Sequence, residues 1–97
     1  MSRVAIWAQL EAKPGKEKEL EAFLKSAQPL AEHEPLTLSW YAIKLGPGKY
    51  GIFDTFADDQ GRNAHLNGDI AKALFAKADE LLVKPPQISK PDVLAVK

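Results

Sequence analysis

Twice along this chain the spacing of apolar residues switches from the two-residue period of a strand to the three-and-a-half-residue period of a helix, and that order restricts the folds open to it. From Arg3 to Ala12 the residues alternate, with Val4, Ile6, Ala8 and Leu10 on one side and Ala5, Trp7, Gln9 and Glu11 on the other. Pro14-Gly15 breaks this first strand. Leu20, Phe23, Leu24, Ala27 and Leu30 then recur at helical intervals behind a solvated Lys/Glu surface. Pro29 is expected to kink that helix or end its regular part, because it lacks an N–H and crowds the preceding turn. Glu34-Pro35 closes the segment.

Leu36 to Leu45 reads as a second strand and Tyr50 to Ala57 as a third, joined by Gly46-Pro47-Gly48-Lys49 in an antiparallel hairpin. Leu38, Trp40 and Ala42 share one face of the second strand; Ser39, Tyr41 and Ile43 share the other. Asp58 and Asp59 supply N-cap chemistry for a short helix through His65 and Leu66. Gly68 is expected to stop it in a left-handed conformation. Asp69 is expected to cap a further helix with Ile70, Ala73, Leu74, Ala78 and Leu81 on its apolar side. Pro85-Pro86 ends that helix, and Val93 to Val96 is expected to form a final strand. The order is β-α-β-β-α-β, the split βαβ arrangement of an α+β, ferredoxin-like sheet with helices on one face. The first two strands are apolar on both sides. Helices cover only one face, so a second copy of the chain is expected on the other.

The chain has 97 residues, which suits one domain spanning 1–97. Its 45% hydrophobic and 27% charged residues are ordinary for a globular protein. Formal net charge is zero, with no dense Lys/Arg cluster, which argues against nucleic acid as a partner. There is no cysteine, so disulfides, thiolate metal sites and a thiol nucleophile are excluded. No apolar run approaches the roughly 20 residues of a membrane span, and the expected compartment is the cytoplasm. Two histidines without paired spacing do not assemble a metal set. Gly46-Pro47-Gly48 is not a phosphate loop, because Lys49 leads into a strand rather than a helix.

Two residues carry a chemical argument. His65 can take a phenolic proton near neutral pH or hold a substrate oxygen; it can equally pack the short helix against the sheet. Asp54 lies in a strand between Ile52 and Phe56 on the same face, where a carboxylate needs a partner. It can orient His65, bind a substrate hydroxyl, or be a structural carboxylate. Trp7, Trp40, Tyr41 and Phe53 offer either a pocket wall or core and dimer contact. His33, between two glutamates, is expected to be solvated.

Three segments, LEAKPGKEKELEAFL, LTLSWYAIKL and YGIFDTFADDQGRNAHLNGDIAKAL, resemble the antibiotic biosynthesis monooxygenase family. Asp54, Phe56 and Ala64-His65-Leu66 stand where the family often shows an acidic residue, a Trp and an Ala-His-Leu. Here Asp replaces the usual Glu, and Phe the usual Trp. The resemblance implies a dimeric α+β barrel with a pocket between sheet and helices. It implies a cofactor-independent monooxygenase acting on a small aromatic, phenol or quinol, without flavin, haem or metal. His65 and Asp54 would be catalytic, and Phe56, Ile52, Ala8 and Phe75 would contact the apolar substrate. The alternatives are a non-catalytic dimeric small-molecule-binding protein and an isomerase or lyase of small oxygenated metabolites. Haem-degrading relatives use an Asn, a Trp and a His where this chain aligns Ala8, His65 and Phe75, so the resemblance does not extend to that activity.

Overall fold

The computed structural model describes residues 1–97. Strand β1 spans Val4–Glu11, helix α1 Glu17–Glu32, β2 Thr37–Gly46, β3 Lys49–Phe56, α2 Asp59–Leu66, α3 Asp69–Leu81 and β4 Gln87–Ser89. The four strands form one antiparallel sheet in the order β2-β3-β1-β4. This is the expected α+β, ferredoxin-like arrangement. β1 and β2 are joined through α1, and β3 lies between them.

Strand register determines what each face carries. Ile6, Ala8 and Leu10 of β1 stand opposite Asp54, Ile52 and Tyr50 of β3, which in turn stand opposite Trp40, Ala42 and Lys44 of β2. The helices cover this face. Ala8, Leu10, Ile52 and Tyr50 pack with Leu20 and Leu24 of α1 and with Leu74 and Leu81 of α3. Each such aliphatic side chain withdrawn from water is worth roughly 1.5–3 kcal/mol before entropy is counted. The other face carries a row of aromatic rings in register, Trp7, Phe53 and Tyr41. The Trp7 ring lies across Gly51, where an added Cβ would meet it at 2.3 Å. Glycine at 51 thus lets the indole lie down on the sheet.

Several local expectations need correction. Pro29 does not end α1, which continues to Glu32. The carbonyl deprived of its partner is that of Lys25, on the exposed side of the helix, where water can serve it. The buried stripe is Leu20, Leu24, Ala27 and Ala31, so Leu30, 43% exposed, lies off the apolar face. Asp58 caps α2 as expected, accepting from Gly61 N–H at 3.0 Å. Gly68, however, has a φ of −89°; it is the extended N-cap of α3 and not a left-handed stop, and Asp69 is already inside that helix. The last strand is Gln87–Ser89, not Val93–Val96. β4 runs antiparallel to β1 and reaches the start of β1 by Asp92, which bridges Val4, and by Val93, whose N–H donates to the Arg3 carbonyl. Leu94 to Val96 have run past the end of β1 and have no strand beside them. Leu94 is 97% exposed.

Candidate functional site

His65 sits in the last turn of α2, where the helix dipole favours a cation. Its ring is 7% exposed and stacks obliquely on Phe56, with ring centroids 5.5 Å apart. Each ring nitrogen faces a carboxylate. Nε2 lies 2.9 Å from Oδ2 of Asp54 on β3, and Nδ1 lies 2.7 Å from Oε1 of Glu34 in the connection between α1 and β2. The two contacts differ in kind. The bond to Glu34 is directed along the ring N–H, whereas Asp54 is within ion-pair range but off that direction, so neither of its oxygens has an aligned donor. Asp54 is fully buried, and Glu34 is partly open to solvent.

These surroundings set the protonation. Burial pulls the His65 imidazole down, but the Asp54 and Glu34 carboxylates outweigh burial and hold it above its ordinary value. Burial pushes the Asp54 carboxyl up, against the pull of His65, and nearby Glu34 adds to the rise. Both directions express one fact. Both carboxylates favour the charged imidazole over the neutral one, Glu34 through a hydrogen bond and Asp54 through its close charge, so the cluster retains a proton that its separated parts would lose. No set of His, Asp and Glu side chains converges as metal ligands would; Asp54 and Glu34 lie on opposite nitrogens of one ring.

Glu34 and His65 share the floor of a cleft of about 330 Å³ between the α1–β2 connection and α2, with Pro35, Leu36, Ala64 and Gly68 on its sides. A second cleft, about 340 Å³, lies between α1 and β2. Trp40, Tyr41 and Tyr50 supply its aromatic surface, and Glu21, Lys25, Gln28 and Lys44 its polar groups. Tyr50 donates to Glu21, which also meets Lys44 at 3.1 Å. Burial, and then that hydrogen bond, push the Tyr50 phenol up to about 12. Hydrogen bonds from Tyr50 and Lys44 hold the Glu21 carboxyl below its usual value. The Trp40 Nε1–H is buried without an acceptor, and Trp40 stands directly across from Asp54 on the helix-covered face.

The site residues expected from the sequence separate into groups. Asp54, His65 and Phe56 come together. Ala8 and Ile52 are buried in the sheet–helix core at 5% and 4% exposure. Phe75 is half-exposed beside a different cleft, with Lys13 and Val83. His33 is exposed, its Nδ1 paired with the Pro29 carbonyl. Sequence reasoning missed Glu34, which carried no signal beyond its place before Pro35. It also left Trp40 undivided between core and pocket; its position across from Asp54 on the Ile52 face was the available clue.

No protein-family model matches the chain, and no curated protein matches it. Solved structures do. The NE2512 protein of Nitrosomonas europaea, of unknown function, is 54% identical over 100% of this chain and 94% of its own, with a TM-score of 0.98. Rv0793 from Mycobacterium tuberculosis is 20% identical over 98% of both chains, with a TM-score of 0.86. A protein from Caulobacter crescentus described as a candidate antibiotic biosynthesis monooxygenase is 24% identical over 97% of this chain and 92% of its own, with a TM-score of 0.79. The chain belongs to the family of the Nitrosomonas europaea NE2512 protein, and its fold is that of the antibiotic biosynthesis monooxygenases.

Proposed function

We propose that the protein is a cofactor-independent oxygenase acting on a small phenol or quinol, with His65 as the proton acceptor and Asp54 as the carboxylate that orients it. The observation that carries this reading is the buried imidazole beside Asp54 at one nitrogen, while its other nitrogen is paired with Glu34, a partly solvent-exposed side chain lining the same cleft. In the reaction His65, neutral above its raised pKa and with the Glu34 side chain moved aside, takes the phenolic proton at Nδ1. The electron-rich phenolate then reduces dioxygen. One oxygen atom becomes a carbonyl on the ring carbon, and the other leaves as water with the hydrogens lost from the phenol oxygen and that carbon. Dioxygen is the sole oxidant, and flavin, haem and metal have no part in the balance.

His65→Gln is the test, read in two ways. In the catalytic role it keeps the fold and lowers oxygen uptake with a reactive hydroquinone about a hundredfold or more, the scale of losing a general base. If His65 only holds the scaffold, the variant is less stable but turns over normally per folded molecule, and it is that normal turnover, whatever the melting temperature, by which the catalytic assignment fails. A wild type inert to a broad hydroquinone panel also removes the oxygenase reading.

A second reading, a non-catalytic protein that holds an apolar small molecule, is favoured by a different observation. The α1–β2 cleft is aromatic, is within the size range of small-molecule sites, and has no histidine in its lining. In this reading hydroquinones bind and quench Trp40 fluorescence without being consumed.

A further inference from the structure

One oxygen of Glu34 gathers two donors from elsewhere in the fold. Its Oε1 accepts from the Thr37 hydroxyl at 2.7 Å and from His65 Nδ1 at 2.7 Å. Thr37 opens β2 and His65 belongs to α2, so the donors are anchored on regular elements, while the acceptor comes from the short connection between α1 and β2. The other Glu34 oxygen lies against Gly68, the N-cap of α3. A Cβ there would come within 3.3 Å of Oε2 and 3.2 Å of the His65 carbonyl, so glycine leaves room for the carboxylate beside a helix N-terminus.

We propose that Thr37 Oγ1 and His65 Nδ1 form a binding site for the anionic oxygen of a ligand, a carboxylate or phenolate on an apolar ring, and that Glu34 is its tethered occupant. This rests on the reading of the His65 cleft as the substrate site and names what the substrate presents to it. Two anchored donors converging on one oxygen act on any anionic oxygen of the same geometry. Glu34 can leave, because its side chain is partly solvent-exposed and becomes hydrated outside the cleft. Asp54 cannot, being wholly buried. The cleft beside the two donors has the Leu36 and Ala64 side chains to receive an apolar ring. The charged groups around it are few. Asp54 stands behind the imidazole from β3, Asp69 of α3 and His33 line the rim, and Arg62 of α2 is turned away onto Asp59 and the Ala5 carbonyl. A ligand anion that displaces Glu34 keeps the charge of this constellation unchanged.

The experiment is a benzoate titration near pH 6, read by the ring resonances of His65 in histidine-labelled protein, with melting curves run alongside. Glu34→Gln retains an oxygen for both donors but removes the competing charge. Benzoate is expected to bind it about tenfold or more tightly than wild type, the order of one charge-assisted hydrogen bond. Thr37→Val leaves the Glu34–His65 pair in place and is expected to weaken benzoate severalfold, both alone and combined with Glu34→Gln; this arm stands if the Glu34 variant does not fold. Equal affinity in wild type and Glu34→Gln, no effect of Thr37→Val, or His65 resonances unmoved by benzoate would overturn the proposal. Turnover is not read here, so the two readings fail separately. Affinity that follows Glu34 in a protein inert to quinols supports the anion site and ends the oxygenase assignment.

Discussion

At the scale of single residues the chemistry concentrates on His65, and its surroundings make a statement about stability. The folded imidazole holds its proton above the ordinary value because Asp54 and Glu34 outweigh burial. A group whose folded pKa is raised contributes stability that is full below the unfolded value, about 6.5 for histidine, and lost as pH rises through the folded value. The raised Asp54 carboxyl has the same sign at lower pH, since the folded chain again binds more protons than the unfolded one. The melting temperature of wild type is therefore expected to fall as pH rises above about 6.5, and the slope is expected to flatten in His65→Gln. At pH 6 that variant should be less stable by about 1–3 kcal/mol, because buried Asp54 loses its partner. A melting temperature independent of pH from 6 to 9 in wild type would contradict this. Asp54 was legible from sequence as a carboxylate out of place in a strand, and the period of β3 placed it on the same face as Phe56. Glu34 was not legible, because its approach to His65 depends on where the α1–β2 connection returns in space.

The elements follow the sequence where local chemistry decides them and depart from it where tertiary context does. Asp58 was readable as a cap because a short acidic side chain before a helical run satisfies an otherwise unpaired N–H. Asp58→Ala is expected to cost about 1 kcal/mol, read by chemical denaturation, and to loosen the helix that carries His65. A variant as stable as wild type would show that α2 is held by packing alone. Helix α1 runs on through Pro29 to Glu32 because one lost backbone bond on a solvated helix face is cheap next to the burial of Leu20, Leu24, Ala27 and Ala31 on the other. The C-terminal strand was misplaced because Val93 to Val96 has strand composition, while pairing requires a neighbour, and β1 begins only at Val4. Composition carries no information on where a partner strand ends.

At the scale of the molecule the sheet has one face covered and one face bare. Trp7, Phe53 and Tyr41 form a cross-strand aromatic row on the bare face, with Ile43 further along β2. Tyr41 is 58% and Ile43 39% exposed, and an apolar sheet surface of this kind invites a partner. The two-sided apolar character of β1 and β2 announced this from the sequence, and we infer that a second copy packs there, with Trp7 near the contact. Light scattering on a size-exclusion column is expected to give a dimer at micromolar concentration, and Tyr41→Glu to give a monomer. A monodisperse wild-type monomer would contradict the inference. No helix is long and apolar enough to cross a membrane.

The pH dependence and the anion site both require one imidazole held between two carboxylates, and the acid–base reading requires the same ring to give up its proton above the value they raise. Nitrogen-15 NMR of the His65 ring tests that directly. Across a titration from pH 5 to 9, the account predicts that at pH 6.5, where an ordinary histidine is half-ionised, both ring nitrogens remain mostly protonated, and that Glu34→Gln shifts the midpoint downward. A neutral ring with one protonated nitrogen at pH 6.5, unmoved by Glu34→Gln, would contradict it.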